Sequence, residues 1–124
     1  MRMLFVNLPV KNLEVSKRFF NGLGFPTNDQ FTNEQAACIV VEENISVMLL
    51  TEPFFRTFIT GPISDPAKGV EVLNCLSCDS RAEVDETLAK ALAGGGAEWR
   101  PTQDLGFMYS AAFRDPDGHV WEIA

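Results

Sequence analysis

The order strand, helix, three strands is written twice in this chain, and that doubling limits its possible folds more than any other feature. In the first copy, "LFVNLPV" (Leu4–Val10) is an apolar run of strand length. "NLEVSKRFFNGLGF" follows. Asn12 suits an N-cap, Val15, Phe19, Phe20 and Leu23 recur at helical spacing, and Gly22 or Gly24 ends the helix. "QAACIVVE" (Gln35–Glu42) and "ISVMLLTE" (Ile45–Glu52) read as two strands turned at "EN". In the second copy, "EVLNCLSC" (Glu71–Cys78) is the strand. "SRAEVDETLAKALAGGG" is the helix, with a capping box at Ser80 and Glu83 and an apolar set of Val84, Leu88, Ala91 and Leu92. A short strand is expected near Ala97–Trp99, and then "FMYSAAFR" and "HVWEIA", joined by the turn residues "DPDG". The caps Asn12 and Ser80 stand 68 positions apart, which matches Phe5 to Leu73. Aligning "SVMLL" with "HVWEI" uses an offset of 73 and matches Leu49 to Glu122.

At 124 residues the chain has room for one core but not for two independent ones. The expected organisation is a single α+β domain: module one 1–52, a Pro-, Gly- and Phe-bearing linker 53–70, and module two 71–124. Neither copy hides a sheet face alone. Two βαβββ modules are therefore expected to form a curved mixed sheet around a shared cleft, with the helices outside. Such concave joints favour small-molecule ligands.

Charge and cysteine usage narrow the partners. The formal net charge is -7, from 10 Lys and Arg against 17 Asp and Glu, which argues against nucleic acid and anionic membrane surfaces. No apolar run approaches the roughly 18 residues that span a bilayer, and "MRMLFVNLPV" is too short and interrupted for a signal peptide. With three cysteines, Cys38, Cys75 and Cys78, reduced thiols in a cytoplasm are expected. "CLSC" lies in a strand-like run, where residues three apart point to opposite faces, so it lacks the geometry of a redox dithiol.

The chemistry-bearing candidates are few. Glu122 is an acid in an otherwise apolar final strand, either a catalytic carboxylate or the partner of a nearby cation. Asn7 is the sole polar side chain in "LFVNLPV" and shares parity with Phe5. Cys75 shares parity with Leu73, and Tyr109 offers a hydroxyl from the seventh strand. Phe54 and Phe55, beside the linker, suit an aromatic lid, a dimer contact or plain core packing.

The duplicated pattern, closed by "DPDGHVWEI", resembles the vicinal oxygen chelate superfamily of glyoxalases, extradiol dioxygenases, fosfomycin-resistance enzymes and bleomycin-binding proteins. "FVNLPVKNLEVSKRFFNGLGF", "VMLLTEPFF" and "GFMYSAAFRDPDGHVWEI" are similar to a glyoxalase-related subgroup termed predicted lactoylglutathione lyases. The resemblance implies the glyoxalase-like fold and a homodimer. It also implies a divalent ion, held by residues from the first and last strands of each module. By motif position those residues are here Phe5, Leu49, Leu73 and Glu122, of which only Glu122 can bind metal. The expectation is therefore a small-molecule cleft lined by Phe5, Asn7, Leu49, Leu73, Cys75, Tyr109, Phe54 and Phe55, with Glu122 as the catalytic candidate. No cofactor is expected; a divalent metal is disfavoured because catalytic sites of this kind take three or more protein ligands. A lyase or isomerase similar to lactoylglutathione lyase, using Glu122 as base or sole metal ligand, is the alternative. A non-catalytic structural protein is the third.

Overall fold

Local signals start and stop the helices. Asn12 accepts the Val15 N–H at 3.1 Å through Oδ1 and opens α1 (Leu13–Gly22). Ser80 accepts the Glu83 N–H at 3.1 Å and opens α3 (Arg81–Ala93), while the Glu83 carboxylate reaches back to the Asp79 N–H at 2.9 Å. The capping box thus closes one residue earlier than the usual pattern. Gly24 and Gly95 follow these helices with φ of 101° and 107°, a left-handed conformation that glycine adopts without steric cost.

The computed structural model describes every residue from Met1 to Ala124 and divides into two units, Met1–Ser64 and Asp65–Ala124. Unit one contains β1 (Leu4–Val10), α1, β2 (Thr27–Asn28), β3 (Ala36–Glu42), β4 (Ile45–Thr51) and the short α2 (Glu52–Arg56). Its sheet order is β1-β4-β3-β2, with β1 parallel to β4 and the other pairs antiparallel. Unit two contains β5 (Leu73–Leu76), α3, β6 (Ala97–Asp104), β7 (Tyr109–Arg114) and β8 (Val120–Ile123). Its order is β5-β8-β7-β6, again with only the first pair parallel. Each unit is a βαβββ module, so the tandem glyoxalase-like architecture is present. No helix is long and apolar enough to cross a membrane.

The sixth strand differs from its expected three residues. It runs on to Asp104, with irregular pairing between Glu98 and Arg100 and again between Arg100 and Gln103. Pro101 lies within it, and β6 is an edge strand, where a missing backbone donor is tolerated.

Strand parity sorts the buried side chains into two faces, and the central strands are buried on both. In unit two, Ala111, Phe113, Trp121 and Ile123 share one face, and all are buried. α3 packs chiefly on β7, and Tyr109, of the same parity, bonds to Asp85 of α3, so this is the helix-covered face. In unit one, Ala37, Ile39, Val47 and Leu49 are the counterparts, each at 1% exposure or less. Full burial of a side chain such as Ile39, Val47 or Leu49 contributes about 1.5–3 kcal/mol.

The "DPDG" turn is held by its first residue. Asp115 is buried, and its Oδ1 accepts the N–H of Asp117 and of His119, each at 3.0 Å. Its Oδ2 accepts the Trp121 indole N–H at 3.1 Å. Burial pushes this carboxyl above its ordinary range, an effect opposed by His119 and by the bonds from Trp121 and the His119 backbone. Gly118 has φ of 90°, and a Cβ there would stand 3.3 Å from Pro66, whose carbonyl accepts from Arg114 at 3.2 Å. The chain just before β5 is thereby seated on the last hairpin. Asp115→Ala removes the acceptor of three donors and is expected to cost about 2–3 kcal/mol in urea unfolding; Asp115→Asn, which keeps an acceptor oxygen, is expected to cost less.

Candidate functional site

Cross-strand partners in a pleated sheet point to the same side. In unit two, Cys75 pairs with Glu122, Glu122 with Ala112, and Ala112 with Arg100. These four residues form one row across all four strands, on the face opposite Phe113 and Trp121. Ala112 carries only a methyl group, and the long Arg100 side chain reaches across it. Its Nη2 donates to Glu122 Oε2 at 3.0 Å and to Ser110 Oγ at 3.1 Å, and its Nη1 donates to the Pro101 carbonyl at 3.4 Å. The side chains of Arg100 and Glu122 are 22% and 20% exposed, so the pair is mostly withdrawn from water yet still reachable.

Cys75 ends the row as an exposed thiol. Partial desolvation pushes its pKa up, the Glu122 carboxylate adds to this, and Arg100 opposes it more weakly. The shift disfavours a thiolate nucleophile at this position. Leu73 and Val120 form the adjacent row on the same face, Leu73 half exposed and Val120 buried.

Unit one repeats this register. Asn7 pairs with Met48, Met48 with Cys38, and Cys38 with Asn28. Met48 thus stands where Glu122 stands, an offset of 74 and not the 73 taken from the letters. The slip of one position changes the face. Leu49 pairs with Leu8 and is fully buried on the helix side, opposite to Phe5 and Asn7. Phe5 and Asn7 are exposed on the Met48 face, and the Asn7 amide donates to the Phe5 carbonyl at 3.3 Å.

Tyr109 is likewise placed away from Glu122. Its hydroxyl donates to Asp85 Oδ1 at 2.6 Å, and the Arg81 guanidinium lies 4.8 Å from its ring centroid. Arg81 also holds Asp104 through two bonds of 2.6 and 3.0 Å. These contacts tie the β6–β7 hairpin to the start of α3. Phe54 and Phe55 sit half-buried in α2, which packs on β1 and β4 of its own unit, and Phe54 meets Phe58 edge to face at 5.1 Å. A surface depression of unit one, lined by Lys17, Asn21, Phe25, Thr27 and Asp29, lies elsewhere. Its polar groups are spent locally: Asn21 bonds to Phe25 and Thr27, and Lys17 to Glu14.

The donors on the Glu122 face do not fit a divalent ion. A guanidinium already stands on the sole carboxylate of the row, Cys75 is the only other ligand-type side chain in it, and within either unit no three His, Cys, Asp or Glu side chains converge. Arg100 was not among the residues singled out from sequence. The one available signal was an arginine near an edge proline, which says nothing about reach across a neighbouring strand.

Two measurements probe these arrangements. A double-mutant cycle on Arg100→Ala and Glu122→Ala is expected to give a coupling of about 1 kcal/mol, collapsing in an Ala112→Leu background where the bulkier side chain blocks the crossing. Asp104 is lowered to about 2 from 3.8, first by the Arg81 bond and then by the Gly106 N–H. A depressed carboxyl contributes stability above its unfolded pKa and loses it as pH falls toward the folded value. Acid titration between 3.8 and about 2 is therefore expected to destabilise the protein more than its Asp104→Asn variant. The difference should shrink at high salt because the pair is exposed.

Comparison with known proteins places this geometry. A hypothetical protein from S. aureus superposes with a TM-score of 0.84 at 26% identity, covering 99% of this chain and 92% of that one. A glyoxalase-related enzyme from Fulvimarina pelagi gives 0.83 at 20% identity, covering 100% and 87%. A glyoxalase/bleomycin resistance protein/dioxygenase family enzyme from Burkholderia phytofirmans PsJN gives 0.80 at 15% identity, covering 99% and 97%. None of the curated proteins compared with the chain matches it. The Glyoxalase family description matches residues 2–123, nearly end to end, so the chain belongs to the Glyoxalase/Bleomycin resistance protein/Dioxygenase superfamily.

Proposed function

We propose that this protein binds a small organic molecule on the Cys75–Glu122–Ala112–Arg100 row, and that it does so without the metal ion typical of its enzyme relatives. The observation that carries this reading is the 3.0 Å ion pair between Arg100 and Glu122. A divalent ion on Glu122 would either displace the guanidinium from Oε2 or, on Oε1, stand as a second cation beside it in a partly dehydrated setting. The row offers what a binding site needs: a few oriented polar groups, with buried Ser110 and Val120 beside them. Binding and sequestration, which the resemblance to bleomycin-binding proteins implies, need no more than this. By the same resemblance the protein is proposed to work as a cytoplasmic homodimer.

A thermal-shift and calorimetric screen in the presence of a chelator tests this. A ligand at about 100 times its Kd is expected to raise the unfolding free energy by about 2.7 kcal/mol. The gain should be unchanged by the chelator and should largely disappear in Arg100→Ala. Stabilisation that appears only when metal is added would overturn the reading.

A second reading is favoured by one detail: Arg100 takes Oε2 of Glu122, which leaves Oε1 to accept a proton. In that reading the protein is a lyase or isomerase similar to lactoylglutathione lyase, with Glu122 as base. Glu122→Gln is then expected to abolish turnover of a hemithioacetal or related carbonyl substrate while leaving the fold intact. Absence of turnover in the unaltered protein, with or without Ni, Zn, Mn or Fe, removes this reading.

A further inference from the structure

The Arg100–Glu122 pair carries opposite charges that cancel, and no other charged side chain shares the row: its remaining members are Ala112 and the neutral thiol of Cys75. Nη2 of Arg100 is committed to Glu122 and Ser110, and one Nη1–H to the Pro101 carbonyl, which leaves the Nε–H and the second Nη1–H as donors. Oε2 of Glu122 is committed to Arg100, which leaves Oε1 as an acceptor. Both forked edges of the guanidinium include Nη2, so an anionic ligand seeking a two-point grip has to compete with Glu122 or Ser110. A cationic ligand that takes both oxygens of Glu122 has to compete with Arg100, and one that takes Oε1 alone adds a second cation beside the guanidinium. Breaking the pair either way strands one half-buried charge without its partner, the costly outcome for such a pair. A ligand that is neutral overall, and carries an acceptor and a donor side by side, adds to the pair without breaking it.

We propose that this row selects an electroneutral, carboxamide-type ligand, whose carbonyl accepts from Arg100 and whose N–H donates to Glu122, over ligands of net charge. The proposal rests on the small-molecule reading of the same row and goes further by naming the ligand's chemistry. The selectivity comes from the pairing itself: each charge is already answered, so only a group that needs both a donor and an acceptor gains from the site.

Benzamide, benzoate and benzamidinium are planar and nearly isosteric, and they differ in charge. Each is titrated into the isotope-labelled protein and followed by NMR through the Arg100 Nε–H and the backbone amides of Cys75, Ala112 and Glu122. Benzamide is expected to bind about tenfold more tightly than either ion, a difference of about 1.4 kcal/mol. Glu122→Gln leaves the row with a positive charge and is expected to make benzoate the preferred probe. Arg100→Gln leaves it negative and is expected to make benzamidinium preferred. The same spectra report whether each variant is folded, and either swap alone is decisive. The proposal is overturned, with the binding reading intact, if the unaltered protein prefers one of the ions or if neither swap changes the order. If no probe perturbs these resonances in any of the three proteins, the small-molecule reading of this row fails, and the proposal with it.

Discussion

Strand register in the second unit is the constraint on which its chemistry depends. Glu122 has Cys75 on one side and Ala112 on the other, and Arg100 lies one strand further out. Two neighbouring strands are about 4.8 Å apart, so residues two strands distant meet only if the intervening side chain is small and one partner is long. Ala112 and Arg100 meet both conditions. The ion pair is therefore a product of three residues on three strands. Its members are mostly removed from water, which makes mutual neutralisation and the added bond to Ser110 matter more than they would on an open surface.

The two units keep the same register but use it differently. On the helix sides, Ala37, Ile39, Val47 and Leu49 match Ala111, Phe113, Trp121 and Ile123, apolar and buried in every case. On the opposite faces, Asn7, Met48, Cys38 and Asn28 match Cys75, Glu122, Ala112 and Arg100. Packing against a helix demands hydrocarbon at fixed positions, so that face is held to a narrow set of residues. The other face is free of this demand, and there one unit carries a charge pair while the other carries amides, a thioether and a thiol.

The hairpin that supplies Arg100 is secured at both ends by different means. Toward its tip, Arg81 grips Asp104 and stacks on Tyr109, which bonds to Asp85, so the hairpin is fastened to α3. At the far end of β7, Asp115 gathers two backbone donors and the Trp121 indole. Arg100 lies between these fastenings, on a strand whose irregular pairing and edge proline alter the local pleat. The site is therefore supported by elements that take no part in it, which limits the freedom of the two charges to move apart.

Much of the framework was legible in the residues themselves. The doubled module, the caps at Asn12 and Ser80, the "DPDG" turn and the strands around it depend on neighbours within a few positions, so their signals survive in a linear reading. The matching of Leu73 with Phe5 was anchored by those caps. The face of Leu49, the side of the sheet taken by Tyr109, and the extent of β6 were not legible in this way. Each turns on a register between distant segments, and a shift of one residue sends a side chain to the opposite face. By itself, the sequence determined that two βαβββ units form and that a lone acid stands in the last strand. Only the tertiary structure decided that Arg100 meets that acid, because the meeting runs over a third strand whose small residue makes the gap, and no spacing along the chain encodes a distance across it.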